Sequence, residues 1–91
     1  MGVIIRIPAA LRVVAGGRAE LEVQAGTVRG ALEEAIARCP ALRRHLYGED
    51  GRLRSYVNVY VNEDDIRWGG GESRGVGDGD VITIVPSIAG G

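Results

Sequence analysis

Apolar and polar positions alternate along several short stretches of this chain, and one longer stretch repeats at helical spacing. Val3-Ile4-Ile5-Arg6-Ile7 is β-branched and apolar, and Pro8 ends it. It predicts a strand with Val3, Ile5 and Ile7 on one face. Ala19-Glu20-Leu21-Glu22-Val23-Gln24 alternates strictly, which turns Ala19, Leu21 and Val23 inward and the polar residues to water. Between them, Pro8 to Gly17 reads as a long turn with Leu11 and Val13 or Val14 tucked beneath it. The first two strands should form an antiparallel hairpin.

From Val28 the period changes. Val28, Ala31, Leu32, Ala35, Ile36 and Cys39 recur at three and four residues, giving one apolar stripe, with Arg29, Glu33, Glu34 and Arg38 on the polar side. Thr27 is the expected N-cap and Pro40 the stop. Gly30 weakens the first turn, and a close approach of helix to sheet would account for it. Ala41 to Ser55 looks irregular, with room for one helical turn around Leu42 to Leu46. Tyr56-Val57-Asn58-Val59-Tyr60-Val61-Asn62 alternates again, with its valines inward. Glu63-Asp64-Asp65 turns the chain, Ile66-Arg67-Trp68 suits a short edge strand, and Gly69-Gly70-Gly71 a flexible loop. Val76-Gly77-Asp78-Gly79-Asp80 predicts a tight turn with positive φ at its glycines. Val81-Ile82-Thr83-Ile84-Val85 is apolar on both sides, as a central strand should be, and Pro86 ends it.

The order is ββαββ, with one optional short strand. A hairpin, a helix and a last strand lying parallel to the first make a mixed sheet of four to five strands with the helix across one face. This is an α+β fold of the β-grasp arrangement, and residues 1–91 should form a single domain. Leu32, Ile36, Val57, Val59, Ile5, Ile82 and Ile84 are the expected core. Ile4, Arg6, Asn58, Tyr60, Thr83 and Val85 then fall on the uncovered face. Ile4, Tyr60 and Val85 would make that face more apolar than a monomer needs, as partner-docking faces are.

Composition narrows the function by exclusion. With 91 residues, 45% hydrophobic and 25% charged, the chain is an ordinary globular domain. A net charge of −1 gives no basic footprint for nucleic acid. No apolar run is long enough for a membrane span, and the N-terminus lacks the basic region of a signal peptide. One cysteine excludes an internal disulfide and fits a cytoplasmic protein. All eleven basic residues are arginine, so no side-chain amine is present to accept an acyl group.

Candidate chemistry inside the domain is sparse. His45, the one histidine, reads as a surface residue, and Cys39 as a structural thiol on the helix stripe. Glu63-Asp64-Asp65 lacks the spacing of a calcium loop, and Gly69-Gly70-Gly71 has no following lysine, so it is no phosphate loop. No metal site is expected, and any ATP chemistry must come from a partner. The tail is different. Pro86-Ser87-Ile88-Ala89-Gly90-Gly91 can reach roughly 17 Å when extended. Gly90 and Gly91 lack Cβ atoms and could pass a narrow channel. The Gly91 carboxylate, ionised at neutral pH, could attack a phosphorus electrophile. On composition alone, a frayed glycine-ended terminus is the better reading, and what precedes the tail changes that. Either way the residues after Pro86 should be mobile in the free protein, with Ile88 able to anchor the tail in a partner.

Ile88-Ala89-Gly90-Gly91, the turn Gly77-Asp78-Gly79-Asp80 and the strand Val81 to Val85 with Pro86 resemble the ubiquitin-like sulfur carriers. That family includes the molybdopterin synthase small subunit and the thiazole-synthesis carrier. The stretch Tyr56 to Arg67, with Gly69-Gly70 close behind, is most similar to the sulfur carrier of thiocarboxylate-dependent cysteine synthesis. The resemblance covers the whole chain. It implies no enzyme activity in this chain and no bound cofactor. It implies instead that a ubiquitin-activating-type enzyme uses ATP to adenylate Gly91, and that a sulfur donor then converts the carboxylate to a thiocarboxylate. Ser87, Ile88, Ala89 and Gly90, with Pro86, would thread the partner's channel. The implied acceptor is a pyridoxal-phosphate cysteine synthase holding an aminoacrylate, or a sulfur-inserting enzyme of secondary metabolism. A metallopeptidase would free the cysteine. A molybdopterin synthase small subunit, a protein modifier conjugated through Gly91 and a purely structural binding module remain alternatives.

Overall fold

The computed structural model describes residues 2–86. The expected mobility of the tail, and the placement of Ser87, Ile88, Ala89, Gly90 and Gly91, lie outside the described residues. Strands β1 (Val3–Arg6), β2 (Glu20–Val23), β3 (Val57–Val61), β4 (Asp64–Asp65) and β5 (Val81–Pro86) form one sheet in the order β2-β1-β5-β3-β4. Two helices, α1 (Val28–Arg38) and the single turn α2 (Arg43–Leu46), complete the fold. β1 is antiparallel to β2 and parallel to β5, so the first and last strands are neighbours and β5 sits mid-sheet. This is the expected β-grasp.

The alternation decides the core. Val3, Ile5 and Ile7 of the first stretch, Leu21 and Val23, the three valines of β3, and Ile82 and Ile84 are all buried. So are Val28, Ala31, Leu32, Ala35 and Ile36 on one stripe of α1. Thr27 caps the helix by accepting from the Gly30 N–H at 3.0 Å. Gly30 owes its place to that cap and not to the sheet: a Cβ there would sit 3.3 Å from the Thr27 Oγ1. Among the described residues, no helix is long and apolar enough to cross a membrane.

Several local expectations are corrected. Ala19 is exposed, because β2 begins only at Glu20. Beneath the Pro8–Gly17 turn the packed residues are Leu11, Ala15 and Val14, whereas Val13 is 87% exposed. Ile66–Trp68 is a 3-10 turn and not a strand, since the Asp65 carboxylate caps it by accepting from the Arg67 N–H at 2.9 Å. The edge strand is Asp64–Asp65 instead. The glycine run is not a free loop: Gly70 takes φ 94° and leads into a 3-10 turn at Gly71–Ser73. In the Asp-Gly-Asp turn only Gly79 has positive φ, at 89°; Gly77 does not. His45 is half-buried, and its Nε2 is enclosed without a partner among the described residues.

Candidate functional site

β5 carries the tail, and its two ends are held differently. At its start, Asp80 ties three segments together. Its carboxylate accepts from the Gly77 N–H at 2.9 Å and from Asn62 Nδ2 at 3.2 Å. The Gly77 amide, foremost, and the Asn62 amide hold this carboxyl below the usual aspartate range. Asn62 stands in the left-handed region at φ 56°, a conformation its short polar side chain tolerates. From there its Oδ1 accepts from the Val81 N–H at 3.1 Å, and its own N–H donates to the Val81 carbonyl at 2.7 Å. The chain before β5 is tied to α1 as well, by Val28 N–H to the Arg74 carbonyl and Val76 N–H to the Gly26 carbonyl, both 3.0 Å.

At the other end, Pro86 does not follow the strand but closes it, opposite Val57. Proline can stand there because this pair is not a hydrogen-bonded one: the Val57 N–H turns away to the Arg54 carbonyl at 3.0 Å, and the ladder asks for no N–H from residue 86. Pairing with β1 stops earlier, at Arg6 against Thr83, because Pro8 takes β1 out of the sheet. Among the described residues, Ile84, Val85 and Pro86 therefore have a strand partner only on the β3 side.

The sheet face opposite α1 brings the six predicted residues together. One row crosses all five strands: Glu20, Arg6, Thr83, Tyr60 and Asp65. On one side of it lie Glu22, Ile4 and Val81; on the other, Val85 and Asn58. The apolar patch is narrower than expected. Val85 is 42% exposed, but Ile4 and Tyr60 are half-buried. Arg6 pairs loosely with Glu20 at 3.6 Å at the rim.

Two features escaped the sequence. Trp68 is 87% exposed beside β4, because the capped 3-10 turn swings it off the sheet. A network on the helix side joins Tyr47, whose hydroxyl donates to Glu72 at 2.6 Å, to Arg29, whose guanidinium lies 4.9 Å over the Tyr47 ring. Burial, with the bond to Glu72, pushes the Tyr47 phenol far above its ordinary value. This network packs the Gly71–Ser73 turn against α1 and offers no open reactive group. Cys39 is half-buried against the core. Asp64 is paired with Arg74 at 3.1 Å, and no group of three or more metal-ligating side chains occurs among the described residues.

The ThiS family profile matches residues 5–91. The sulfur carrier protein CysO of Mycobacterium tuberculosis is 33% identical over 93 residues, covering all of both chains. In the crystal structure of the Amycolatopsis orientalis BexX/CysO complex, a matching chain is 37% identical with a TM-score of 0.90, over 99% of this chain and 100% of that one. The solution structure of small archaeal modifier protein 1 from Methanosarcina acetivorans superposes with a TM-score of 0.89 at 27% identity, over 98% and 95%. A family match over nearly the whole chain and a full-length relative agree: this chain belongs to the ThiS family.

Proposed function

We propose that this protein is a sulfur carrier that works through the carboxylate of Gly91. The observation that carries this is the full-length likeness to the CysO sulfur carrier. The chain acts as a carrier and not as an enzyme, in keeping with the names of its relatives and with the sparse chemistry of its own domain. A carboxylate is a poor acyl donor until its oxygen belongs to a good leaving group. In this reading a ubiquitin-activating-type partner supplies ATP. The Gly91 carboxylate oxygen attacks the α-phosphorus and pyrophosphate leaves. A sulfur nucleophile then attacks the acyl carbon and AMP departs, leaving a thiocarboxylate. Its sulfur is nucleophilic yet covalently held, and is handed to an acceptor enzyme. Likeness to CysO favours a pyridoxal-phosphate acceptor that makes cysteine, with a metallopeptidase to release it. The BexX/CysO complex supports a carrier of this kind binding a partner protein, and a sulfur-inserting enzyme of secondary metabolism is a further acceptor in this reading. A molybdopterin synthase would use the same terminus. Dependence on ATP and reduced sulfur suits a cytoplasmic setting.

The geometry supports a division of labour. The open face, with Tyr60, Thr83, Ile4 and Val85, docks the activating enzyme, and β5, held at its start by Asp80 and Asn62, is the fixed strand that the tail continues. A second reading, conjugation of Gly91 to lysines of other proteins, draws on the likeness to small archaeal modifier protein 1.

Intact mass with activating enzyme, ATP and sulfide separates these. One oxygen-to-sulfur exchange supports the carrier, a large covalent adduct the modifier, and no change a binding module. Adding one Ala after Gly91 moves the reactive carbon by about 3.3–3.6 Å. Misplacement on this scale can cost about a hundredfold in a positioned reaction. The extended protein, and Gly90→Val, should fold normally and fail to be thiolated. Thiolation of the extended chain at the normal rate, untrimmed, sinks the carrier reading.

A further inference from the structure

The mismatch between β1 and β5 leaves a groove beside the root of the tail. β1 leaves the sheet at Pro8, β5 runs on to Pro86, and the space between them is about 450 Å³. Its walls are apolar, from Pro8, Ile84, Val85 and Pro86, but two arginines line it, Arg6 and Arg12. Arg12 is oriented from within: its Nε donates to the Ile7 carbonyl at 3.1 Å. Its two Nη groups have no hydrogen-bond or ionic partner among the described residues. Arg6 has only the loose, solvent-exposed contact with Glu20 at 3.6 Å. A guanidinium fixed through Nε presents its remaining donors as a planar fork, the geometry that suits a carboxylate. Among the described residues nothing pairs with β5 in the lane beside Ile84 to Pro86, so an extended segment could lie along it.

We propose that this groove receives an extended, carboxylate-bearing segment of the adenylating partner, with Arg12 pairing to an Asp or Glu of that segment. This rests on the sulfur-carrier reading. Pro86 lines the groove, and Gly91 lies only five residues beyond it. An enzyme that encloses Gly91 must come within roughly 17 Å of Pro86, and so close to this rim. Two arginines there meet a partner of the opposite charge, which speeds encounter and fixes register.

The test measures affinity for the adenylating enzyme of the same host, at low and at moderate salt, for the wild type, Arg12→Gln, Arg12→Glu and Val13→Glu. Val13 is a control that adds the same negative charge outside the groove. Spectra and melting of each free variant establish that it is folded; Arg12→Gln serves if Arg12→Glu is not. The expected result is a loss of about tenfold or more for Arg12→Glu at low salt, shrinking as salt rises, with a smaller loss for Arg12→Gln and none for Val13→Glu. Unchanged affinity overturns the proposal, as does an equal loss in Val13→Glu or no binding by the wild type. Two further outcomes would name a different occupant and also overturn it. One is a change in sedimentation of free Arg12→Glu, which would mean a second copy. The other is a shift of the Arg12 Nε resonance on deleting residues 87–91, which would mean the chain's own terminus. Wild-type thiolation is followed in parallel by mass. If affinity falls as expected but no oxygen-to-sulfur exchange occurs, the groove stands and the carrier chemistry falls.

Discussion

Ile84 and Val85 are consecutive residues of one strand, yet the first is 1% exposed and the second 42%. They stand for the two faces of the sheet. The covered face is uniformly apolar and sealed by α1. The open face mixes Ile4, Tyr60, Thr83 and Val85 with a charged rim at Glu20, Arg6 and Asp65. A strand gives alternate residues to opposite faces, so one stretch of sequence can hold the fold together with one set and meet a partner with the other. The two tasks can therefore be broken separately.

The largest effect on the covered side should come from Leu32→Ala. Leu32 is fully buried beneath the sheet, and truncation should cost about 2–5 kcal/mol. Chemical denaturation reads this directly; thiolation by excess activating enzyme should survive wherever the domain is still folded. An unshifted midpoint would mean the stripe on α1 is misassigned. The open side should respond the other way. Tyr60→Glu puts a charge within the five-strand row, beside Thr83 at its centre, and should weaken activation by more than about 1 kcal/mol, as loss of an interface aromatic does. Its melting temperature should stay near that of the wild type, and normal activation would move the interface elsewhere. Thr27→Ala sharpens the contrast at an intermediate size. Loss of the bond to the Gly30 N–H should cost about 0.5–2 kcal/mol of stability and leave thiolation unaltered. The smallest effect is pH-dependent. The Asp80 carboxyl is held below its ordinary value in the fold, so its contribution is present above the unfolded value of about 3.9 and fades as pH falls through the lower, folded value. Asp80→Asn should therefore lower the neutral plateau slightly and flatten that acid limb of the stability curve, as followed by thermal melts from pH 7 downward.

The sequence disclosed what short-range pattern controls. Strand alternation placed Ile5, Val57, Val59, Ile82 and Ile84 in the core, and helical spacing with Thr27 placed α1. Local competition spoiled other expectations. Ile66–Trp68 has the residues of a strand, but the Asp65 side chain offers the Arg67 amide a nearer acceptor than a neighbouring strand does. Pro86 was expected outside the ladder, and only the pairing of Val57 with Arg54 shows why it can stand inside. The six residues of the open face were legible because three strands of known phase face the same way. The Arg6–Arg12 groove was not, because it depends on one strand ending before its parallel neighbour. That difference in length exists only once the two ends of the chain have met.

The meeting of those ends has a consequence for how the molecule folds. β1 and β2 can pair locally, as can β3 and β4, but β1 and β3 touch nothing in common until β5 lies between them. The segment that joins the two halves comes late in the chain and closes a loop spanning most of its length, the kind of contact that slows folding. Neither half presents a finished hydrophobic face before that moment. Opening should accordingly be all-or-none: loosening β5 frees both hairpins together, and amide exchange in β1 and β3 should track one common free energy.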